Sequence, residues 1–221
     1  MKILEIISPS TIDKNTKQKF NFRNANDYYE KYFTQGEDEH SGSYARGEED
    51  ERDPHMFNKK SYFPSNLDKD AYYQYIKKIG PYISGNPYLP RVYIIKLIKH
   101  KDGHIKPEYK MEKLEGWENF DTDEIYAMSK RMFGPGNGCI RPSTIMNYCM
   151  RIFEGIINTN GMDDKLIDAL NLIYEVKNLN RDFHEDFSDD NVMLRRTKYG
   201  PQMVFIDPLF DISRSSQIKN S

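Results

Sequence analysis

Apolar side chains recur every three or four residues in three stretches of the chain, which predicts amphipathic helices over residues 68–79, 143–158 and 163–178. A fourth helix is expected over residues 122–133, where Thr122 is a suitable cap and Gly134-Pro135 follows the last apolar position. Gly80-Pro81 ends the first helix in the same way. The spacing therefore places one helix early in the chain and three in its second half.

Shorter apolar runs predict strands at residues 56–60, 89–97 and 109–114, and a further pair at 191–194 and 203–206. Asp102-Gly103 marks a turn between the second and third of these strands. Gly200-Pro201 lies in the polar connection of the last pair, which suggests a hairpin. Strands and helices mixed in this order favour the α+β class.

Composition excludes several classes of function. The chain has 221 residues, 30% of them charged, and a formal net charge of −2, which gives no general attraction to nucleic acid or to an anionic membrane. The apolar runs are too short to span a bilayer, and the first residues do not form a signal peptide. Two cysteines provide no disulfide framework, so we expect reduced thiols and a cytoplasmic protein.

Candidate chemistry concentrates between residues 181 and 208. His184 is followed by Asp186, then by Asn191, and Asp207 ends the last apolar run. A hairpin would place Asp186 and Asn191 just before one strand and Asp207 just after its neighbour. Oxygen-bearing side chains that converge in this way suit a hard cation and a phosphate. The alternative is an acidic loop that is merely solvated.

The spacing His-x-Asp-x-x-x-x-Asn resembles the catalytic loop of the protein kinase fold, and Asp207-Pro208-Leu209 stands where kinases have Asp-Phe-Gly. Together with Leu89-Pro-Arg-Val-Tyr, these motifs look most like the small serine/threonine protein-kinase-like domains of tailed bacteriophages, the podophages. The resemblance implies an ATP- and Mg²⁺-dependent phosphotransferase that acts on a host protein or on itself. Asp186 would be the catalytic base, while Asn191 and Asp207 would hold Mg²⁺.

The resemblance also implies residues that contact the phosphates of ATP. Lys59 aligns best with the strand lysine that contacts the α- and β-phosphates, and Lys60 is the alternative. Gly42, Ser43 and Tyr44 would form a glycine loop over the phosphates, although the full Gly-x-Gly-x-x-Gly pattern is absent.

On the adenine side, Met111 aligns with the gatekeeper, and Glu112 and Leu114 would present backbone groups to the base. The helix over residues 68–79 departs from the family pattern, because it has no Glu to pair with the strand lysine. Gln74 is the nearest polar substitute. This departure puts the usual switching mechanism of kinases in doubt.

The resemblance implies two lobes, a small lobe over residues 1–114 with a sheet and one helix, and a mostly helical large lobe over 115–221. Only 14 residues follow Asp207, so we expect a truncated large lobe. The acidic segment 35–53 is expected to be a loop or an exposed hairpin. Two rival functions stay open: a catalytically dead pseudokinase that binds or inhibits a host protein, and a metal-dependent hydrolase built on Asp182, His184 and Asp186.

Overall fold

The computed structural model describes residues 45–61, 66–99 and 105–212. The expected glycine loop of Gly42, Ser43 and Tyr44 lies outside the described residues, and so does the expected Asp102-Gly103 turn. The described residues form four α-helices and eight strands, which confirms the α+β class. None of these helices has the length and apolar character needed to cross a membrane.

The chain divides into two compact units. One contains the described residues up to Leu67 together with Val92–Lys113, and the other contains Asp68–Arg91 and the described residues from Leu114 onward. The early helix therefore groups with the second unit, whereas the sequence predicts it in the first. Each unit has its own sheet structure.

The first unit is a four-stranded antiparallel sheet. Its strands are β1 (Ala45–Asp50), β2 (Asp53–Ser61), β3 (Val92–Lys99) and β4 (Ile105–Glu112), in the spatial order β1-β2-β4-β3. The acidic segment is thus a hairpin over its described part, in which β1 pairs with β2. Strand β3 begins three residues later and ends two residues later than predicted, and β4 begins four residues earlier and ends two residues earlier. The ladder between them continues to Lys99 and Ile105, beyond the apolar runs that predicted the strands.

Charge divides the two faces of this sheet, because alternate residues of a strand point to opposite sides. One face carries three ion pairs across neighbouring strands, between Lys60 and Glu48, Lys96 and Glu108, and Lys110 and Asp50. The other face carries mostly apolar side chains, among them Phe57, Tyr109 and Met111. The acidic residues of the hairpin are therefore balanced by lysines within the unit.

The second unit contains the four helices, and acidic caps set the starts of three of them. Helix α1 (Ala71–Ile79) begins three residues later than predicted because the Asp70 side chain accepts a hydrogen bond from the backbone N–H of Tyr73. Helix α2 (Thr122–Phe133) has Asp121 as its cap, paired with Glu124 in a capping box. Thr122, the predicted cap, is instead its first helical residue.

Helices α3 (Pro142–Phe153) and α4 (Asp164–Lys177) contribute five and six buried apolar side chains to the core of this unit. Helix α3 ends earlier than predicted because Gly155 adopts a positive φ of 69°. Helix α4 is capped by Asp163, whose side chain accepts the backbone N–H of Lys165. Most of the apolar positions that indicated these helices are buried: Ile145, Met146, Cys149, Leu166, Leu170, Ile173 and Val176. Ile156, predicted in the same stripe, lies beyond the end of α3 and is exposed, and Ile167 is half-buried.

Two strand pairs complete the second unit. Strands β6 (Val192–Thr197) and β7 (Gly200–Phe205) form the predicted hairpin, and Gly200 enters β7 with a φ of 94°. Strands β5 (Phe183–Glu185) and β8 (Leu209–Asp211) pair antiparallel to each other and were not predicted. Three residues are too few for a periodic pattern to be recognised.

The ion pair between Asp50 and Lys110 gives a test of the sheet. The hydrogen bond from Lys110 to Asp50, 2.6 Å long, lowers the pKa of Asp50 to about 2, whereas an ordinary Asp titrates near 3.9. Because this pKa is lowered in the folded state, the stabilisation is complete above about pH 4 and is lost as the pH falls toward 2. We expect Lys110→Ala to return the pKa of Asp50 toward its ordinary value in an NMR carboxyl titration.

Lys96→Ala is the matched control, because Lys96 pairs with Glu108 on the same sheet face and not with Asp50. An Asp50 pKa that is the same in the wild type and in Lys110→Ala would contradict the pairing.

Candidate functional site

Backbone hydrogen bonds fix the start of the candidate loop. The backbone N–H of Asp186 donates to the carbonyl of Pro208 over 2.9 Å, which continues the pairing of β5 with β8 by one residue. Asp186 therefore lies beside the residue that follows Asp207. Both aspartate side chains are half-buried.

A second set of bonds ties Asn191 to Asp207. The carbonyl of Asn191 accepts the backbone N–H groups of Ile206 and Asp207, over 2.9 and 3.2 Å. The N–H of Asn191 donates to the carbonyl of Ser188, which forms the turn that precedes β6. The three candidates lie within a short stretch of sequence, with 21 residues separating Asp186 from Asp207. The structure brings these two and Asn191 together at the ends of the two strand pairs.

An aromatic anchor holds the middle of the loop. The ring of Phe187 lies between those of Phe153 and Phe205, with centroid distances of 5.5 and 5.3 Å. Beside it, Lys177 at the end of α4 forms an ion pair of 2.6 Å with Glu185. Burial opposes ionisation of Glu185, but its hydrogen bonds to Lys177 and to the backbone, together with the nearby positive charge, outweigh it, so the pKa of this carboxyl is lowered. The loop is thus fixed on the core directly after Asp186.

Helix α1 reaches the other end of the site. The buried hydroxyl of Tyr75 donates a hydrogen bond of 2.6 Å to the carbonyl of Phe205. Burial raises the pKa of both Tyr72 and Tyr75, and the negative charge of Asp207 raises it further. Two tyrosines of one helix therefore share the environment of the Asp207 carboxylate.

Two further segments of the second unit support the β6–β7 hairpin. Phe205 donates its N–H to the carbonyl of Tyr88 over 2.9 Å, and the indole N–H of Trp117 donates to the carbonyl of Val192 over 2.6 Å. The segment that begins with the buried Leu114 adds a short antiparallel bridge between Glu115 and Leu194. These contacts place Leu114 in the second unit.

The first unit contains the other sequence candidates. Lys59 lies opposite Gly47 and Tyr109 in the sheet register, on the same face as the fully buried Met111. Lys60 lies on the charged face. Glu112 is also on that charged face, where its side chain is buried.

Gly47 is required by the packing of this sheet. A Cβ atom built on Gly47 would lie 2.0 Å from the Cζ of Phe57, which is a severe overlap with a ring. Only glycine lets the ring of Phe57 cross β1 at this point. The close approach belongs to the apolar face, on which Lys59 also lies.

Metal-binding chemistry in the second unit rests on oxygen donors. Within the described ranges, no group of three or more His, Cys, Asp and Glu side chains is arranged to hold a metal ion. Asn191 and Asp207 offer an amide oxygen and a carboxylate, and Mg²⁺ on a nucleotide is commonly bound through one or two such groups and the phosphates. The donor set therefore fits Mg²⁺ held partly by a phosphate ligand. His184 lies on β5, with its ring 5.8 Å from that of Phe210.

Sequence patterns did not identify two supports of the site. The helical periodicity assigns Tyr75 to an apolar face, and no local pattern predicts that its hydroxyl reaches Phe205. Phe187 carried a usable signal, because an aromatic residue within an acidic loop indicates an anchor to the core.

A comparison with models of known protein families found no match, and no curated protein matches the chain.

The aromatic anchor makes a measurable prediction. Complete burial of Phe makes Phe→Ala cost about 3–5 kcal/mol, so the half-buried Phe187 should lose about 2 kcal/mol of unfolding free energy on substitution by Ala. Trp117 is the single tryptophan, is buried and lies in the second unit, so its fluorescence during urea unfolding reports on that unit.

Tyr174→Ala is the control, because Tyr174 packs against the same Phe153 ring from an exposed position. We expect it to cost about 1 kcal/mol or less. If both variants lose the same free energy of unfolding, Phe187 does not anchor the loop to the core.

Proposed function

We propose that this chain is an ATP- and Mg²⁺-dependent phosphotransferase with a protein-kinase-like fold. The observation that carries the proposal is the set of backbone hydrogen bonds that joins Asp186 to Pro208, and Asn191 to Ile206 and Asp207. Phosphoryl transfer needs positioned oxygen ligands and charge neutralisation more than covalent chemistry, so rigidly held groups of this kind suit it.

The order of elements gives further support. Helix α1 comes between β2 and β3, β4 lies between those two strands in the sheet, and the candidate loop follows α4. This is the order that the resemblance to kinases implies, from the lysine strand through the hinge strand to the catalytic loop. The loop motif does not itself require this order, so the two observations are independent.

Each candidate residue has one role in the proposal. Asp186 orients the acceptor hydroxyl and takes its proton. Asn191 and Asp207 would hold Mg²⁺, which when bound neutralises phosphate charge. Lys59 contacts the phosphates of ATP from the apolar face of its sheet. His184 supports the loop and is assigned no proton-transfer role.

The remaining roles are those that the resemblance implies. Met111 is the gatekeeper, and Glu112 and Leu114 present backbone groups to adenine. A host bacterial protein, or the chain itself, is the acceptor of the phosphoryl group. In this proposal the chain is encoded by a phage and acts in the cytoplasm of the host. Gly42, Ser43 and Tyr44 keep their proposed role as a cover over the phosphates.

A pseudokinase that binds a host protein is the second candidate. The observation that favours it is the absence of any acidic side chain within helix α1, Ala71–Ile79. The hydrolase built on Asp182, His184 and Asp186 gains no support, because these side chains form no metal-binding group in the described part of the chain.

The first test is a thermal shift with Mg²⁺-ATP. A ligand that binds only the folded state stabilises it by about 2.7 kcal/mol at a hundredfold excess over its Kd, which corresponds to about 5–10 °C for a chain of this size. Wild type should show this shift with Mg²⁺-ATP and much less with ATP plus a chelator. Asp207→Ala should lose most of the shift because the metal loses a ligand.

Asp186→Ala separates binding from chemistry. It should keep most of the shift yet abolish transfer of labelled phosphate, because a base acts on the transition state and contributes little to ground-state binding. A wild type that binds Mg²⁺-ATP but transfers nothing under any condition would favour the pseudokinase. No shift at millimolar Mg²⁺-ATP would reject nucleotide binding altogether.

The two adjacent lysines provide a second test within the first unit. Because Lys59 lies on the apolar face with Met111 and Lys60 is paired with Glu48 on the other face, only one of them should serve the nucleotide. Lys59→Ala should weaken ATP binding about tenfold or more in calorimetry, and Lys60→Ala should leave it within about twofold. The reverse pattern would move the proposed phosphate contact to the charged face.

A further inference from the structure

We propose that the tip of the β6–β7 hairpin and the adjoining end of helix α2 form a binding surface for single-stranded nucleic acid. The surface consists of the exposed cations Lys130, Arg131 and Lys198 together with the exposed rings of Tyr126 and Tyr199. We call it the basic surface. It lies wholly within the second unit, and the inference does not depend on the proposed phosphotransferase activity.

Basic and acidic residues are unevenly distributed along the chain. The whole sequence is nearly balanced, with 32 Lys and Arg against 34 Asp and Glu. Residues 125–153, however, contain four basic residues and no acidic one, and residues 191–206 contain three basic residues and no acidic one. The first stretch includes most of α2 and all of α3, and the second contains the β6–β7 hairpin. The small net charge therefore conceals two stretches that carry only positive charge.

The fold joins these two stretches at the hairpin tip. Helix α2 packs against β7, and the guanidinium of Arg131 in its last turn donates a hydrogen bond of 2.9 Å to the carbonyl of Pro201. Lys130 precedes Arg131 on the helix, and Lys198 lies between the last residue of β6 and the first residue of β7. The Arg131 contact thus brings the basic end of α2 beside the basic tip of the hairpin.

Side-chain hydrogen bonds give the hairpin tip a defined shape. The hydroxyl of Thr197 donates to the carbonyl of Gly200 over 2.7 Å and accepts the N–H of Tyr199 over 3.1 Å. Gly200 has a φ of 94°, which favours glycine at this turn. The turn leaves 75% of Tyr199 exposed, more than any other large apolar side chain among the described residues. Because the turn already orders this residue, a ligand that stacks on its ring loses less affinity to ordering.

Each lysine of the basic surface lies over a tyrosine ring. The Lys198 ammonium is 4.8 Å from the centroid of the Tyr199 ring, and the Lys130 ammonium is 5.4 Å from that of Tyr126. Gly138 lies against the Tyr126 ring, since a Cβ atom added at this glycine would overlap the ring. Proteins that bind single strands combine cations for the phosphates with aromatic rings on which the bases stack. Two such pairs, linked by the contact of α2 with the hairpin, match this chemistry.

Neighbouring charges limit the basic surface without neutralising it. Arg196, also in the hairpin, is held by Glu115 through two hydrogen bonds of 3.0 and 2.9 Å, so its charge is already matched. Asp123 and Glu124 lie in the first turn of α2, at the end of the helix away from the basic surface. The contacts of the surface itself are to two rings and a carbonyl, which leave its positive charges available to phosphates.

An acidic protein segment is the other polyanion that these charges would attract. Such a segment would use the cations alone, because carboxylates do not stack on tyrosine rings. The repeated pairing of a cation with an exposed ring therefore favours a ligand that offers both phosphates and unstacked bases.

The main experiment measures the fluorescence anisotropy of labelled single-stranded RNA and DNA of about twelve nucleotides at salt concentrations from about 50 to 200 mM. For three phosphate contacts, the logarithm of the affinity should fall with the logarithm of the salt concentration with a slope of about −2. Lys198→Gln should weaken binding and make this slope shallower by about 0.7. Tyr199→Ala should weaken binding about fivefold or more because one stacking contact is lost. A duplex of the same sequence should bind more weakly, because its bases are already stacked.

Tyr174→Ala and Lys77→Gln are the matched controls. Both residues are exposed in the second unit, on α4 and α1, and neither belongs to the basic surface. Both variants should bind the oligonucleotides like the wild type. The fluorescence of the buried Trp117 during urea unfolding checks that each variant is folded.

Three results would overturn the inference. The first is no binding of either oligonucleotide by the wild type at about 50 mM salt, where phosphate contacts are strongest. The second is equal weakening by the control variants, which would show general charge attraction. The third is polyglutamate that binds as tightly as the oligonucleotides while Tyr199→Ala changes neither affinity, which would identify an acidic peptide as the ligand. Because these measurements use neither ATP nor Mg²⁺, their outcome is separate from that of the proposed function.

Discussion

Buried backbone groups at the end of the β6–β7 hairpin need hydrogen-bond partners that the hairpin itself does not supply. An unpaired buried N–H or C=O costs about 1–3 kcal/mol, so the partners decide which arrangement is stable. At Phe205 they come from Tyr75 and Tyr88, and at Val192 one comes from Trp117. Three segments that are distant in sequence thereby meet at one strand end. The placement of Asn191 and Asp207 beyond that end depends on all three.

Periodicity predicted the helices of the second unit well because a buried helix face repeats over many residues. The ends of the helices were less accurate, since single caps determine them. Asp70 starts α1 later than its apolar pattern suggests, and Gly155 stops α3 earlier. Such caps compete with each other locally, and tertiary packing decides which one is used. Strands β5 and β8 were missed because their pairing is a tertiary contact between two three-residue segments.

Only the spacing of the candidate residues along the chain allowed the site to be predicted. The spacing of Asp186, Asn191 and Asp207 predicted which residues would converge on a hairpin, because loop length and strand pairing are local properties. The hydrogen bond from Tyr75 joins residues 130 positions apart, and no periodic or motif signal in either segment indicates it. The candidate residues were therefore easier to predict from the sequence than the residues that hold them in place.

The acidic segment of the first unit shows what composition alone does not reveal, which is how its carboxylates are paired in the sheet. A run of acidic residues before β2 argues against a phosphate nearby, because like charges repel. In the sheet, however, Glu48 and Asp50 pair with lysines across the strands, and these pairs lie on one face. The alternation of a strand places Lys59 on the opposite face, away from those carboxylates. Glu48 and Asp50 thus balance the lysines of their own face, whereas Glu49, which stands opposite Phe57 on the face of Lys59, pairs with Lys113.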